Sequence, residues 1–258
     1  MKINIAFIQF LIWLIASVFF YSCSNEKSIP LRIAVASNAQ FAADSLKKIF
    51  EEKYSTDVEL IVSSSGKLTS QIKHGAPYDI FLSADMKYPK SVATDGMALT
   101  EPKVYALGKL VLWTTQDIDL KNGLASLKNP SIKTIAVANP RTAPYGIATI
   151  SALNQAGIYD AVKNKIVYGE SISQVNQYQL TGAANVAFTA LSVVKSPDIK
   201  QNGKFIIIAD SLYRPIQQGA IILKHSNEYN LENAEAFYQL LFSEKGKAVF
   251  RHFGYNVN

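Results

Sequence analysis

Cysteine is almost missing from this chain, with one in 258 residues, Cys23. An intrachain disulfide therefore has no second partner, and beyond residue 23 there is no thiol for nucleophilic or redox chemistry. Histidine is nearly as scarce. His74, His225 and His252 lie far apart without metal-ligand spacing, which argues against a metal centre. His74 closes a predicted helix, where a dipole or capping role suits it. Charge is modest, at 18% of residues with a net of +6. A basic balance suits an anionic ligand, a nucleic acid or an anionic membrane. Here the basic residues are scattered, as with Lys47–Lys48, Lys163 and Lys165, with no run interleaved with aromatics and no nucleic-acid motif. Solvated helix faces are the better reading, and nucleic acid is not expected as a partner. No internal repeat and no low-complexity region is present.

Catalytic signatures are also incomplete. Ser64-Ser65-Gly66-Lys67 contains the Ser-x-x-Lys of penicillin-interacting enzymes, but the nearest Lys-Thr string, Lys133-Thr134-Ile135, lacks its glycine. Gly169-Glu170-Ser171-Ile172-Ser173 fails the Gly-x-Ser-x-Gly elbow at its last residue. Asp79 and Asp85 sit among strand-end caps and turn-formers rather than in a metal pair. No catalytic residue and no cofactor are expected.

What is present begins with a targeting segment. Lys2 is followed by an almost wholly apolar run, Ile3 to Phe20, and then Tyr21-Ser22-Cys23. This is the pattern of a secretory signal. A small residue before a lone cysteine resembles a lipoprotein signal, although Phe20 stands where an aliphatic residue is usual. Residues 1–23 are read as that signal with Cys23 lipidated, and residues 24–30 as a polar tether. An ordinary cleavable signal and an uncleaved anchor are the alternatives, because the run is nearly long enough to span a bilayer. In each case the rest of the chain is extracytoplasmic, in a periplasm or tethered to a membrane.

With 48% hydrophobic residues the remainder can build a good core. Leu31–Ala36, Val58–Val62 and Ile80–Leu82 read as strands, separated by helices over Ala39–Tyr54 and Lys67–Lys73. The pattern restarts with a long strand over Leu107–Thr114 and another over Thr134–Ala138. A helix follows near Ile147–Ala156, then a strand at Ile166–Tyr168 and a helix over Ile172–Leu180. Short strands at Val186–Thr189 and Phe205–Ala209 and an extended Ile216–Leu223 come next. Helices over Ala234–Phe242 and Glu244–Phe253 close the chain. Strand–helix alternation predicts α/β architecture, here in two lobes, each a mixed, mainly parallel sheet flanked by helices. Residues 31–108 and 215–258 are assigned to lobe I and 109–214 to lobe II, with a cleft between them.

Four strand-to-helix turns are built from small and hydroxyl residues: Ser37-Asn38, Ser63-Ser64-Ser65-Gly66, Pro144-Tyr145-Gly146 and Gly169-Glu170-Ser171-Ile172. Helix N-termini carry unpaired N–H groups and partial positive charge, so several facing one cleft make an anion site. One such serine alone is ordinarily an N-cap; four turns split between two lobes are more informative. Glu170 is the one acidic residue in them and is expected to point away. Donors without acceptors suit a fully deprotonated oxyanion, whereas a protonated phosphate also needs an acceptor.

From Leu31 to Tyr255 the chain resembles the molybdate-binding proteins of ABC transporters, the ModA family. The matching segments are Ala34-Val35-Ala36-Ser37-Asn38, Ser63 to Leu68, Gln71 to Asp85, Ala136 to Pro140 with Ala143 to Gly146, and Val249 to Tyr255. The resemblance implies a periplasmic-binding-protein (Venus-flytrap) fold and a monomer that captures molybdate or tungstate for a membrane permease and its cytoplasmic ATPase. Carried over by position, Ser37 and Ser65 would offer hydroxyl and backbone donors from the first lobe. Tyr145 and Ile172 would offer backbone N–H groups from the second. The molybdenum is then held as the intact oxyanion, through the same residues. Some members place a tyrosine hydroxyl where this chain has Ala190; Tyr145 and Asn38 are expected to take its place. The rival reading is a binding protein for sulfate, phosphate or an organic acid. A transcription-regulator effector domain shares the two-lobed fold, but the export segment and the lack of a preceding helix-turn-helix argue against it.

Overall fold

The structure, a computed structural model, describes residues 29–199 and 202–257. The expected signal with Cys23 and most of the tether lie outside these residues. The described chain forms two five-stranded mixed sheets with helices on their faces.

The first sheet is started by β1 (Leu31–Ala36), β2 (Val58–Ser63) and β3 (Ile80–Ser83), with α1 (Gln40–Lys53) and α2 (Ser65–Lys73) between them. All three strands are made mostly of aliphatic or aromatic residues. Both β2 and β3 pair with β1 in parallel, as helical crossovers require. Next comes α3 (Lys87–Thr94), which the sequence reading missed. Its Pro89 sits in the first turn, where a missing N–H leaves no intrahelical bond unmade, and Asp85 Oδ1 accepts from the Tyr88 amide at 3.2 Å. The aspartate is the start signal; the proline does not break the helix.

The single strand expected over Leu107–Thr114 is in fact two. β4 (Lys103–Gly108) belongs to the first sheet and β5 (Leu110–Thr114) to the second, with Lys109 alone between them. Gly108-Lys109 marks the crossing in the sequence, but with extended apolar residues on either side it reads as part of one strand. The second sheet continues with β6 (Ile135–Ala138), α4 (Pro144–Gln155), α5 (Tyr159–Val162), β7 (Ile166–Gly169), α6 (Ile172–Leu180), β8 (Val186–Ala190), α7 (Leu191–Val194) and β9 (Lys204–Ile207). The chain then returns as β10 (Ile216–Ile222), which inserts between β3 and β4, and ends in α8 (Ser226–Tyr229), α9 (Leu231–Phe242) and α10 (Glu244–His252).

Strand order is β2-β1-β3-β10-β4 in one sheet and β7-β6-β8-β5-β9 in the other. The sheets are mixed and mainly parallel in strand direction, as expected: four of the five strands in each run the same way. In each, two pairings are parallel and two antiparallel. The antiparallel pairings come from one strand in each sheet, β10 in the first and β5 in the second, both next to a passage between the sheets. One core packs α1, α9 and α10 on the first sheet around Leu46, Phe50, Phe237 and Phe250. A second lies under α2 and α3, and a third fills the other sheet around Trp113, Phe188 and Leu153.

Candidate oxyanion site

β1, β2, β6 and β7 all deliver their carboxyl ends to the gap between the two sheets, where ligands of open α/β sheets bind. β1 runs into a single 3-10 turn, Ser37–Ala39. β2 runs through Ser64 into α2, β6 through Ala143 into α4, and β7 through Ser171 into α6. Ala36, Ser37, Asn38, Ser64, Ser65, Ala84, Ala143, Pro144, Tyr145 and Ile172 line one small, nearly closed-up cavity of about 10 Å³. All ten are buried. The five residues singled out from the sequence, Ser37, Asn38, Ser65, Tyr145 and Ile172, therefore meet at one place, drawn from both lobes.

No lining side chain is charged. Ser65, Tyr145 and Ile172 lie in the first turn of their helices, where N–H groups have no intrahelical acceptor. Each helix end adds partial positive charge. Glu170 is exposed, as expected, and its Oε2 accepts from Lys67 Nζ at 2.5 Å. Among the described residues no group of three His, Cys, Asp or Glu could hold a metal ion.

The hydroxyls differ in how they are engaged. Ser65 Oγ accepts from the Ala84 amide at 2.9 Å, so its own proton is available to the cavity. Ser37 Oγ donates to the Ser63 carbonyl at 3.0 Å and must rotate to donate elsewhere. Asn38 departs from its expected part. Its Nδ2 donates to Gln218 Oε1 at 2.7 Å and to Tyr255 Oη at 3.0 Å. Both amide protons are thus committed inside the first lobe, which leaves the backbone N–H as its donor to the cavity. The Tyr145 hydroxyl also points elsewhere. It lies against Gly108, where a Cβ would come within 2.2 Å of it and 2.7 Å of Gln218 Nε2. Neither Gly108 nor Gln218 lines the cavity. This hydroxyl is buried without a hydrogen-bond partner, and burial holds its pKa well above the usual tyrosine range. Ala190 ends β8 fully buried, and its neighbour Ser192 Oγ donates to the Asn38 carbonyl at 2.7 Å.

Sequence reading missed Ser64. It lines the cavity, is 3% exposed, and its hydroxyl has no partner. Three consecutive serines give no cue to which hydroxyls face inwards.

The lobes touch around the cavity. Gly66 N donates to Thr142 O at 2.9 Å. Tyr88 Oη donates to Arg141 O at 3.3 Å, and Ser173 Oγ to Gln40 Oε1 at 3.0 Å. Ser192 of the second lobe and Tyr255 of the first share the Asn38 carbonyl.

Residues 31–256 match the family model described as bacterial extracellular solute-binding protein. The chain is 35% identical over 223 residues to a molybdate-binding protein ModA of Rhodobacter capsulatus, covering 86% of each chain. It is 33% identical over 237 residues to the ModA of Azotobacter vinelandii, covering 92% of this chain and 93% of that one. The solved structure of the Azotobacter vinelandii periplasmic molybdate-binding protein superposes with a TM-score of 0.82 at 32% identity, over 88% of this chain and 99% of that one. By the extent of these matches, the chain belongs to the bacterial extracellular solute-binding protein family, in its ModA branch.

Proposed function

We propose that this protein captures a fully deprotonated tetrahedral oxyanion, molybdate or tungstate, outside the cytoplasm and hands it to an ABC importer made of a membrane permease and its ATPase. The observation that carries this reading is the buried cavity between the lobes, lined only by neutral residues and faced by helix N-termini from both. A buried dianion must replace its hydration with hydrogen bonds. A site of donors with no carboxylate supplies these and offers no acceptor to a protonated phosphate. The names of the relatives support molybdate as the ligand. Ser37, Ser65, the backbone of Asn38, Tyr145 and Ile172 are the proposed donors, and the protein acts as a monomer without cofactor or turnover. Anchoring through a lipidated Cys23 is part of the proposal, and mass spectrometry of the mature N-terminus tests it.

The deciding experiment is calorimetry of the mature protein against molybdate, tungstate, sulfate and phosphate. Tight stoichiometric binding of the first two and much weaker binding of the others is expected. Stronger binding of sulfate or phosphate would sink the reading.

A further inference from the structure

Ser64 stands out among the cavity serines because nothing among the described residues uses its hydroxyl. It occupies the N-cap of the nine-residue helix α2 with extended backbone angles, φ −72° and ψ 149°. A serine there ordinarily accepts from an N–H of the first turn, yet its side chain makes no such bond. Its carbonyl accepts the first intrahelical bond, from the Leu68 amide at 3.0 Å. Of the other lining serines, Ser37 Oγ donates to the Ser63 carbonyl and Ser65 Oγ takes the Ala84 amide. Ser64 Oγ alone is buried, unpartnered and part of the lining. A hydroxyl buried without a partner costs stability unless something else completes it.

We infer that Ser64 is a further donor to the bound anion, beside Ser65 on the same turn, and that its hydroxyl is held free for this purpose. The inference rests on the oxyanion reading above. With Ser64, one helix start presents two side-chain hydroxyls and the first-turn N–H groups to one face of the ligand. It makes α2 the element with the most side-chain donors in the site. Ser64 also replaces, from the first lobe, the hydroxyl that neither Ala190 nor the side chain of Asn38 supplies.

The test is calorimetric titration of the full mature chain with sodium molybdate, for wild type, Ser64→Ala, Ser64→Gly and Ser65→Ala, with melting temperatures measured before molybdate is added. Glycine is well tolerated at an N-cap, so Ser64→Gly keeps the helix start while removing the hydroxyl. Both Ser64 variants should bind molybdate about tenfold or more weakly, as expected for a hydrogen bond to a charged group. Their melting temperatures without ligand should match or exceed wild type, because no cap bond is lost. Wild-type affinity in both Ser64 variants, with binding weakened in Ser65→Ala, overturns the inference and leaves the oxyanion reading standing. Loss of affinity that merely tracks a fall in melting temperature also overturns it. If wild type binds none of molybdate, tungstate, sulfate and phosphate, the oxyanion reading itself has failed.

Discussion

The amide of Gly66 in one lobe donates to the carbonyl of Thr142 in the other at 2.9 Å, and no side chain fits between them. A Cβ on Gly66 would stand 2.9 Å from both Thr142 Cα and Tyr88 Oη. The first is backbone and cannot swing aside. Gly66→Ala should therefore hold the lobes apart while leaving each lobe intact. Overpacking of this kind costs about 1–3 kcal/mol, so molybdate affinity should fall about five- to a hundredfold. The melting temperature without ligand should move little. Titration with molybdate and small-angle scattering of the liganded variant check this; wild-type affinity and compaction would refute it.

Ser37→Ala and Ser65→Ala each remove a hydroxyl from the cavity, and each should weaken molybdate binding by roughly 1.5–3 kcal/mol, about ten- to a hundredfold. Ser65→Ala should be the more damaging. The Ser65 proton is free, whereas the Ser37 proton must first leave the Ser63 carbonyl. Ser65→Ala also strands the buried Ala84 amide. Calorimetry ranks the two, and the stability gained on adding molybdate separates ligand loss from capping effects.

Tyr145→Phe should keep molybdate affinity within about threefold, a change of less than about 1 kcal/mol, because its hydroxyl lies against Gly108 and Gln218 rather than in the cavity. It should also leave the melting temperature unchanged or raise it, since the variant removes a buried hydroxyl with no partner. A loss of affinity as large as that of the serine variants would instead place the hydroxyl on the anion. For wild type, no lining group titrates near neutrality, so affinity should stay flat from about pH 6 to 9, the tyrosine remaining neutral throughout.

Asp79 supplies a pH signature of stability rather than of binding. Its Oδ2 accepts from the Arg32 amide at 2.7 Å and from Asn230 Nδ2 at 3.3 Å, while its Oδ1 is buried without a partner. Burial raises its pKa above 3.8, against smaller opposing effects from the Arg32 amide and His225. The folded state then holds the proton more tightly than the unfolded chain. Stability therefore falls as pH rises through the window between 3.8 and the raised value. Asp79→Asn should remove that slope, so its stability relative to wild type should increase as pH rises through the window. Denaturant titrations across the acid range measure it, and parallel curves would contradict the account.

Much of the site was legible because helix starts announce themselves. Ser37, Ser65, Tyr145 and Ile172 stand where a strand pattern stops and a helical pattern begins, and strand ends in such folds share one side of the sheet. What was not legible depends on partners distant in sequence. Nothing near Asn38 tells that Gln218 and Tyr255 take its amide protons. Nothing near Tyr145 tells that its ring reaches Gly108. Ser64 and Ser65 are chemically identical neighbours, and only the register of α2 separates the unpaired hydroxyl from the one that takes the Ala84 amide. The division of Leu107–Thr114 at Lys109 is different: Gly108-Lys109 does interrupt the apolar pattern, but a single polar residue within an extended stretch does not say that the strand changes sheet.

That break has a mechanical meaning. With Lys109 alone between β4 and β5, and the longer return from β9 to β10 beside it, the two halves are joined by two passages of chain, the build of a hinge between rigid bodies. The cavity walls are shared between those bodies, so cargo held by both walls would fix the angle between them. The angle is visible from outside even though the cargo is not. An apparatus that gripped both halves at once would read that angle, and would empty the carrier by prising it open.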